Sequence, residues 1–302
     1  MVLCKLATVT DRVVIPVRKI LFVLTLLLLP GVVYAQSPVW KVEKNGKQIF
    51  IGGSLHILAA ENYPLPVAFD VAYESSDEIV FEADISAMES PAFQLRLLSE
   101  VSFTDGRRLQ DVLSEETYLA LAEFFDSRGV PMAAVDLFKP GMVATLMTVV
   151  ELQRLGINAV GVDAHLDQKA RLDEKPTEQL ETLEQQIGFI STLGAGQEDE
   201  MLQYSLADVE RLPGLWESMY QAWRSGDLEW LEQNIAMPMR NDFPTAYQTL
   251  LVKRNNAWMG KIEAMAASDQ TEFVVVGALH LAGADGLLEQ LAARGYRVTQ
   301  LH

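Results

Sequence analysis

The sequence predicts an α/β fold in which strands lie towards both ends of the chain and helices lie between them. Strand-like apolar segments occur near residues 39–51, 77–84, 272–276 and 296–301, whereas residues 90–265 are mostly helical in periodicity. Two of the strand-like segments run into the same pattern, Gly-x-Leu-His. We therefore expect a three-layer domain, whose mixed central sheet is built from N- and C-terminal segments and is covered by a long helical insert.

The first 35 residues have the pattern of an export signal. Four basic residues precede an apolar run from Ile20 to Leu29, and Val33-Tyr34-Ala35 fits a signal peptidase site. This run is shorter than the roughly 20 apolar residues of a membrane span. We expect cleavage after Ala35, a periplasmic mature chain and no stable membrane insertion. An uncleaved N-terminal anchor is the alternative.

The mature chain, residues 36–302, is long enough for one domain with a substantial core. It carries 20 Lys and Arg against 40 Asp and Glu, a net charge of −20, which argues against nucleic acid or anionic lipid as a partner. The single cysteine, Cys4, precedes it. The mature chain therefore has no disulfide, and a bound metal would need nitrogen and oxygen ligands.

The N-terminal part of the mature chain begins with a predicted β-hairpin. Apolar residues alternate in 39–43 and 48–51, and Asn45-Gly46 between them is the strongest short hairpin signal. The first Gly-x-Leu-His motif follows the second hairpin strand. A helix over about 67–76 comes next, and then a buried strand, 77–84, which ends in acidic residues.

The middle of the chain is predicted to be helical apart from a strand-like segment at 157–162. Helical spacing of apolar residues covers 111–128, 141–155, 163–171 and 183–265. Within the last of these, Pro213, Pro238 and Pro244 are expected to mark joints. Strand 272–276, the second Gly-x-Leu-His motif, a helix over 285–294 and a strand over 296–301 complete the chain.

The two repeated motifs provide the first candidate site residues, His56 and His280. A strand that ends in glycine brings the following residues to the carboxyl edge of a sheet, where α/β proteins bind their ligands. Imidazole is the commonest metal ligand and acid–base group. We expect the two imidazoles to share one site; two unrelated strand ends are the alternative.

Two glutamates are the candidate carboxylates of this site. Glu82 follows the apolar run Ile79-Val80-Phe81, and Glu181 ends a short segment before a helical run. Either could bind a divalent ion or act as a general base on water. The alternatives are, for Glu82, an acid that pairs with a nearby Arg or caps a helix and, for Glu181, an acid at a helix N-terminus. Two imidazoles with carboxylates suit Zn, Mn, Co or Fe.

Other polar residues are candidates for supporting roles. Asp163 is expected to cap a helix, and His165 to lie on that helix outside the ligand set. Arg254 could hold a substrate carboxylate or orient Glu82, or lie on a solvated helix face. The sequence lacks His-Glu-x-x-His, Gly-x-Ser-x-Gly, a P-loop and Gly-x-Gly-x-x-Gly, which disfavours serine-hydrolase and nucleotide-binding functions.

These motifs together resemble the TraB/GumN/PrgY family, part of a superfamily with the Tiki metalloproteases, erythromycin esterases and the haem-binding protein ChaN. The resemblance spans most of residues 36–302 and rests on short fragments in a specific order. They are Val39-Trp40-Lys41-Val42, Gly53-Ser54-Leu55-His56, Val80-Phe81-Glu82, Gly161-Val162-Asp163, Leu180-Glu181-Thr182, Arg254-Asn255-Asn256-Ala257-Trp258 and Gly277-Ala278-Leu279-His280. Ser54 stands where the family often has Thr, which keeps the hydroxyl.

The resemblance implies a periplasmic metal-dependent hydrolase of the Tiki type that cleaves an amide bond in a peptide or small molecule. His56, His280 and Glu82 would hold a divalent ion (Mn, Co or Zn), and Glu82 or Glu181 would take a proton from the bound water. The supporting or substrate-binding residues would be Ser54, Asp163, Arg254 and Asn255. A non-catalytic protein that binds haem or another ligand, and an interaction protein of envelope assembly, are the alternatives.

Overall fold

The computed structural model describes residues 36–302, and the expected signal peptide lies outside the described residues. The described strands are β1 (Val39–Lys44), β2 (Lys47–Ser54), β3 (Ile57–Leu58), β4 (Glu78–Phe81), β5 (Ala159–Val160), β6 (Thr177–Gln179), β7 (Glu272–Gly277) and β8 (Arg297–Gln300). Six of them form a mixed sheet in the order β6-β4-β7-β2-β1-β8. The first four strands in this order run parallel, whereas β1 is antiparallel to both β2 and β8.

Helices surround this sheet and form the long insert. They are α1 (Val67–Glu74), α2 (Ile85–Met88), α3 (Pro91–Glu100), α4 (Glu115–Asp126), α5 (Pro140–Arg154), α6 (Val162–Leu172), α7 (Leu183–Thr192), α8 (Glu198–Ser225), α9 (Leu228–Leu231), α10 (Met237–Asp242), α11 (Pro244–Tyr247), α12 (Lys253–Met265) and α13 (Leu287–Ala293). Two π-helical turns, Glu232–Ala236 and Gln248–Val252, precede α10 and α12. Among residues 36–302, no helix combines the length and apolar character needed to cross a membrane.

The central sheet is buried on both faces, which confirms the three-layer α/β prediction. Successive residues of a strand point to opposite faces. Phe50 of β2 packs with α1 and α8, whereas its neighbours Ile49 and Ile51 pack with α12 and α13. A third apolar cluster lies among α4, α5 and α8, away from the strands. The helical insert therefore has a core of its own in addition to covering the sheet.

The hairpin prediction agrees with the structure. β1 and β2 pair antiparallel, and Asn45 and Gly46 between them both have positive φ. This backbone favours Asn-Gly because Gly has no Cβ and Asn tolerates the left-handed region. The proline predictions were right in part. Pro244 lies at a helix start after the break at Phe243, and Pro238 follows the π-helical turn Glu232–Ala236 without a break in the helix. Pro213 lies inside the continuous helix α8, where it is exposed and buried residues on both sides hold the helix.

Two strands in the middle of the chain differ from the sequence prediction. Only Ala159–Val160 of the strand-like segment 157–162 is a strand, and it pairs with β3 outside the central sheet. β6 does join the central sheet, so this sheet is not built from terminal segments alone. The residues of β6 are Thr177, Glu178 and Gln179, all exposed. An exposed polar edge strand has no apolar alternation, and its sequence therefore gives no strand signal.

Candidate functional site

Four parallel strands bring the principal candidate residues to one edge of the sheet. Glu181 follows β6, Glu82 follows β4, His280 follows β7 and His56 follows β2. Because the carboxyl ends of neighbouring parallel strands meet at the same edge, residues far apart in the sequence become neighbours in space. With Arg254 of α12, these four side chains form what we call the strand-end cluster.

Gly277, at the end of β7, lies at the meeting point of this cluster. An ideal Cβ on Gly277 would lie 3.3 Å from Glu82 Oε1, 3.6 Å from His56 Nε2 and 3.6 Å from His280 Cδ2. The structure thus brings the two motif histidines and Glu82 around one point, although more than 200 positions separate the histidines in sequence. Because Gly277 has no side chain, a space remains among these three side chains. Any larger residue at this position would fill that space.

A single guanidinium links the two glutamates of the cluster. Arg254 Nη2 donates to Glu82 Oε2 at 2.5 Å and to Glu181 Oε1 at 2.6 Å, and Arg254 Nε donates to Glu181 Oε2 at 3.2 Å. Trp258 Nε1 donates to Glu181 Oε2 at 3.1 Å, and the N–H of Gly277 donates to Glu82 Oε1 at 2.7 Å. The Arg254 side chain is only 10% exposed. This buried cation therefore compensates two buried carboxylates.

His280 is held beneath α12 by Asn255. The residue is 4% exposed, and its ring lies 4.5 Å from the Trp258 ring between centroids. Asn255 Nδ2 donates to the carbonyls of His280 and Asp285, so Asn255 Oδ1 faces His280 Nδ1 at 2.6 Å. This arrangement assigns the ring proton to Nδ1 and leaves the lone pair on Nε2, which lies 3.2 Å from Arg254 Nη1.

His56 is held in a similar way by Asp163, but its side chain is 61% exposed. Asp163 Oδ2 lies 3.0 Å from His56 Nδ1, so Nε2 is the nitrogen free to act towards the cluster. Asp163 lies in the first turn of α6, whose N-cap is Gly161 and not Asp163 as expected. A Cβ on Gly161 would lie 2.2 Å from the His56 carbonyl. The glycine therefore lets α6 begin against the His56 backbone and sets the ion pair.

The charges of the cluster follow from burial and from these contacts. The carboxylate of Asp163 raises the pKa of His56 to about 9. Burial lowers the pKa of His280 to about 3, so this imidazole is neutral at neutral pH. Burial raises the pKa of Glu82, but the charges of His280 and Arg254 outweigh it and lower this pKa to about 2. Because His280 is neutral at neutral pH whereas His56 is protonated, the lasting positive charges beside Glu82 are those of Arg254 and His56.

A cavity of about 290 Å³ adjoins the cluster. Its polar lining includes Ser54, His56, Glu82 and Asp163, and its apolar lining includes Phe81, Ile85, Met88 and Val275. Within residues 36–302, two buried polar atoms of this lining, Ser54 Oγ and Asp163 Oδ1, have no hydrogen-bond partner. Leaving such atoms without partners is costly, by about 1–3 kcal/mol each, which marks the cavity as a place where a ligand can supply the missing hydrogen bonds.

The contacts of the cluster also test the predicted metal ligands. Arg254 donates to Glu82 Oε2 and lies against His280 Nε2, and Gly277 donates to the second oxygen of Glu82. The Arg254 guanidinium thus already binds the carboxylate oxygen and the imidazole nitrogen that a divalent ion would need as ligands. Within residues 36–302, no three His, Asp or Glu side chains are grouped so as to hold a metal ion. The residues as arranged do not fit the predicted ion, and the divalent metal stays a prediction from sequence.

Every site residue that the sequence predicted lies in this region, and their roles stay predictions. Sequence reasoning did not single out four further residues, Gly277, Trp258, Ile85 and Met88. Gly277 belongs to the second Gly-x-Leu-His motif, and Trp258 follows Arg254 by four positions, one helical turn, so both could have been found. Ile85 and Met88 reach the cavity through the short helix α2, for which no sequence signal was seen.

The fold and this site define the class to which the protein belongs. It is a three-layer α/β protein with a buried carboxylate, imidazole and guanidinium site at the carboxyl ends of its parallel strands. Comparison with known families agrees, since the model of the TraB/PrgY/gumN family matches residues 38–300. The chain belongs to the TraB/PrgY/gumN family.

Relatives and solved structures were compared as well. The chain is similar to "Uncharacterized protein YbaP" of Escherichia coli (strain K12), with 27% identity over 244 residues. This alignment covers 79% of the chain and 86% of the relative. A protein of the same description from Shigella flexneri matches with the same identity and coverage. No solved structure matches the chain significantly.

Proposed function

We propose that this protein is a periplasmic hydrolase that cleaves an amide bond with a water molecule activated at the strand-end cluster. One observation carries the proposal: two imidazoles and a carboxylate converge on Gly277, next to a buried guanidinium and a cavity with unpartnered polar atoms. Such a set contains a proton-transfer group, a fixed cation and a place for substrate. Family membership and the resemblance to the Tiki branch support the same reaction class.

His56 is the proton-transfer group of the proposed reaction. Its Nδ1 is held by Asp163, while Nε2 is near the point where the cluster converges and its ring is accessible from solvent. In the neutral form of His56, which prevails above its pKa of about 9, Nε2 takes a proton as the water oxygen bonds to the substrate carbonyl carbon. The same proton passes to the leaving nitrogen when the C–N bond breaks, which gives a carboxylic acid and an amine. Asp163 orients the ring and stabilises its charged form.

Glu82 and Arg254 provide fixed charges for this reaction. Glu82 Oε1 accepts one hydrogen bond, from Gly277, and its second lone pair can accept one from the attacking water. The positive charge of Arg254 favours the negative charge that develops on the carbonyl oxygen. The sequence assigned proton abstraction to Glu82 or Glu181, but both carboxylates are bound to Arg254. We therefore assign water positioning to Glu82 and the positioning of Arg254 to Glu181.

The steps above assign no role to the predicted divalent ion, and the experiment tests whether cleavage needs one. Purified residues 36–302 would be incubated with a peptide library in ¹⁸O-labelled water, and products with labelled carboxylates would be identified by mass spectrometry. The assay would be run as purified, after chelation, and with Mn, Co or Zn restored, next to elemental analysis. Cleavage that survives chelation supports the steps above. Cleavage that needs an added ion supports the metal-dependent form predicted from sequence.

The same preparation tests the competing function. Absence of cleavage under all these conditions, together with a Soret absorption band and bound haem, would overturn the hydrolase proposal in favour of ligand binding. Cleavage by the wild-type chain, with loss in the Glu82→Gln variant, is the result that we expect.

The proposed periplasmic location has a separate test. Expression of the full chain in a Gram-negative host should give a periplasmic protein whose intact mass begins at Gln36. Because residues 36–302 contain no cysteine, dithiothreitol should leave its melting temperature unchanged. Recovery of the uncleaved chain in the membrane fraction would instead identify residues 1–35 as an anchor.

A further inference from the structure

The cavity beside the strand-end cluster contains two buried polar atoms whose hydrogen-bonding capacity is unused. Ser54 is 2% exposed and lines the cavity, and its Oγ has no partner among the described residues. Asp163 lines the same cavity and binds His56 through Oδ2, whereas its buried Oδ1 has no partner in the part of the chain that the structure describes. Both residues adjoin the imidazole to which we assign proton transfer. A substrate bound for that reaction is therefore within reach of both.

The chemistry of these two atoms points to a peptide group. An ionised carboxylate oxygen only accepts hydrogen bonds, whereas a serine hydroxyl can also donate one. A peptide unit presents one N–H donor and one C=O acceptor. The N–H can donate to Asp163 Oδ1, and the carbonyl can accept from Ser54 Oγ. Both buried atoms then gain a partner, which removes their desolvation penalty.

Apart from Gln186 and the polar residues of the strand-end cluster, the remaining wall of the cavity is apolar. Phe81 and Val275 come from neighbouring strands, and Ile85 and Met88 come from helix α2, which follows Glu82 closely. The volume of about 290 Å³ is just below the roughly 300–1,000 Å³ of small-molecule sites. This volume suits one side chain with its peptide group better than a large ligand. An unbranched methionine in the wall can adjust its shape to that side chain.

We propose that the substrate is a peptide that places a medium-sized apolar side chain, such as leucine or methionine, in this cavity. The peptide group of that residue would bind between Ser54 and Asp163. This preference for an apolar side chain rests on the proposed function, because the preference affects catalysis only if the strand-end cluster hydrolyses an amide bond. Met88 is then a specificity-determining residue, and Ser54 is a substrate-binding residue.

The first experiment measures kcat/KM for fluorescence-quenched peptides that differ at one position next to the scissile bond. Leu and Met at this position should exceed Lys, Asp and Gly by roughly tenfold or more, since apolar pockets discriminate by about 10–200-fold. Met88→Lys should reverse the order of Leu and Asp, because it places a cation in the wall. Leu98→Ala, an exposed site on α3 that does not line the cavity, is the matched control and should keep the wild-type order.

Ser54 is tested by removing and restoring its hydroxyl. Ser54→Ala should raise KM for the Leu peptide by roughly tenfold with a smaller effect on kcat, whereas Ser54→Thr should keep KM near the wild-type value. A merely structural role for Ser54 would lower the apparent kcat of Ser54→Ala through the folded fraction, would leave KM unchanged, and would overturn the assignment of substrate binding to Ser54.

A binding measurement separates failure of this proposal from failure of the proposed function. Calorimetry would compare N-acetyl-leucine methylamide with N-acetyl-lysine methylamide on the Glu82→Gln variant, in which the expected slow turnover keeps both compounds intact during the measurement. Tighter binding of the leucine compound without any cleavage by wild type would sustain the pocket and overturn the hydrolase. Cleavage by wild type with equal rates for all side chains, or equal binding of the two amides, would overturn the apolar specificity and leave the hydrolase standing.

Discussion

The helical insert and the sheet edge each bury a carboxylate against arginine, and the two places differ in what surrounds the carboxylate and the arginine. In the helical insert, Glu151 is 1% exposed and is bound by Arg128 and Arg154, at 2.7 and 2.5 Å. We call these three residues the helical cluster. At the sheet edge, Glu82 and Glu181 share the single guanidinium of Arg254. The helical cluster has two guanidinium groups for one carboxylate, whereas the strand-end cluster has one guanidinium group for two carboxylates.

The surroundings of the two clusters indicate which of them has a structural role and which is a candidate for chemistry. Arg128 and Arg154 use both oxygens of Glu151, and Arg128 also packs over the Phe124 ring. The strand-end cluster instead includes two imidazoles and adjoins a cavity with unpartnered polar atoms. A buried acid–arginine pair is therefore no sign of a site by itself. A nearby proton-transfer group with open space beside it makes the difference, and the following variants test this distinction.

The largest expected effect is on turnover. Glu82→Gln keeps the size of the side chain but removes the charge that faces Arg254 and the water position. We expect kcat to fall by about 10²–10⁴-fold. Glu78→Gln, the same change at the other end of β4, is the matched control and should retain activity. Equal rates for wild type and Glu82→Gln, with circular dichroism unchanged, would remove Glu82 from the mechanism.

The next effect concerns the free energy of unfolding. Arg254→Met leaves two buried carboxylates without their shared cation, and we expect a loss of about 3–5 kcal/mol. Arg154→Met should cost less than about 1 kcal/mol, because Arg154 is 51% exposed and Arg128 still pairs with Glu151. Urea unfolding of both variants measures the contrast. Similar losses would show that the two clusters contribute alike and would break the comparison.

A smaller effect is the pH dependence that the helical cluster gives to stability. Hydrogen bonds from Arg154 and then Arg128 hold the pKa of Glu151 below its ordinary value. A lowered folded-state pKa stabilises the fold above the unfolded-state value of about 4.3, and this contribution disappears as the pH falls through the folded-state pKa. The difference in unfolding free energy between wild type and Glu151→Gln should therefore be largest near neutral pH and shrink towards about pH 3. A constant difference would contradict this assignment.

The repeated motif shows how far sequence predicts the site. Gly-x-Leu-His after two apolar segments places His56 and His280 at one sheet edge, because parallel strands end together. The shared motif does not predict that the side chain of His56 is exposed whereas that of His280 is buried. After β7 the chain turns through a 3₁₀ helix, Ala278–Leu281, and places His280 against Trp258, whereas after β2 it continues into β3. These environments depend on what packs later, which the local sequence does not encode.

The cation of the site was also only partly predictable. Arg254 was one of several arginines on helices, and a helical pattern alone does not distinguish a solvated side chain from a buried one. The π-helical turn Gln248–Val252 directly precedes α12 and changes the helical period just before Arg254. Similarly, β6 carries only polar residues, so the edge strand that leads to Glu181 had no apolar signal. Both features arise from tertiary packing.

The most direct measurement is kcat/KM of the His56→Gln variant relative to His165→Gln on the best peptide from the library. His56 is exposed, so its replacement should leave the melting temperature near that of wild type. His165 lies on the same helix as Asp163, but its ring packs against that of Tyr63 at a tilt of 55°, outside the cluster. We predict a loss of about 10²–10⁴-fold for His56→Gln and less than about threefold for His165→Gln. Wild-type kcat/KM in a folded His56→Gln protein would contradict the assignment of hydrolysis to the strand-end cluster.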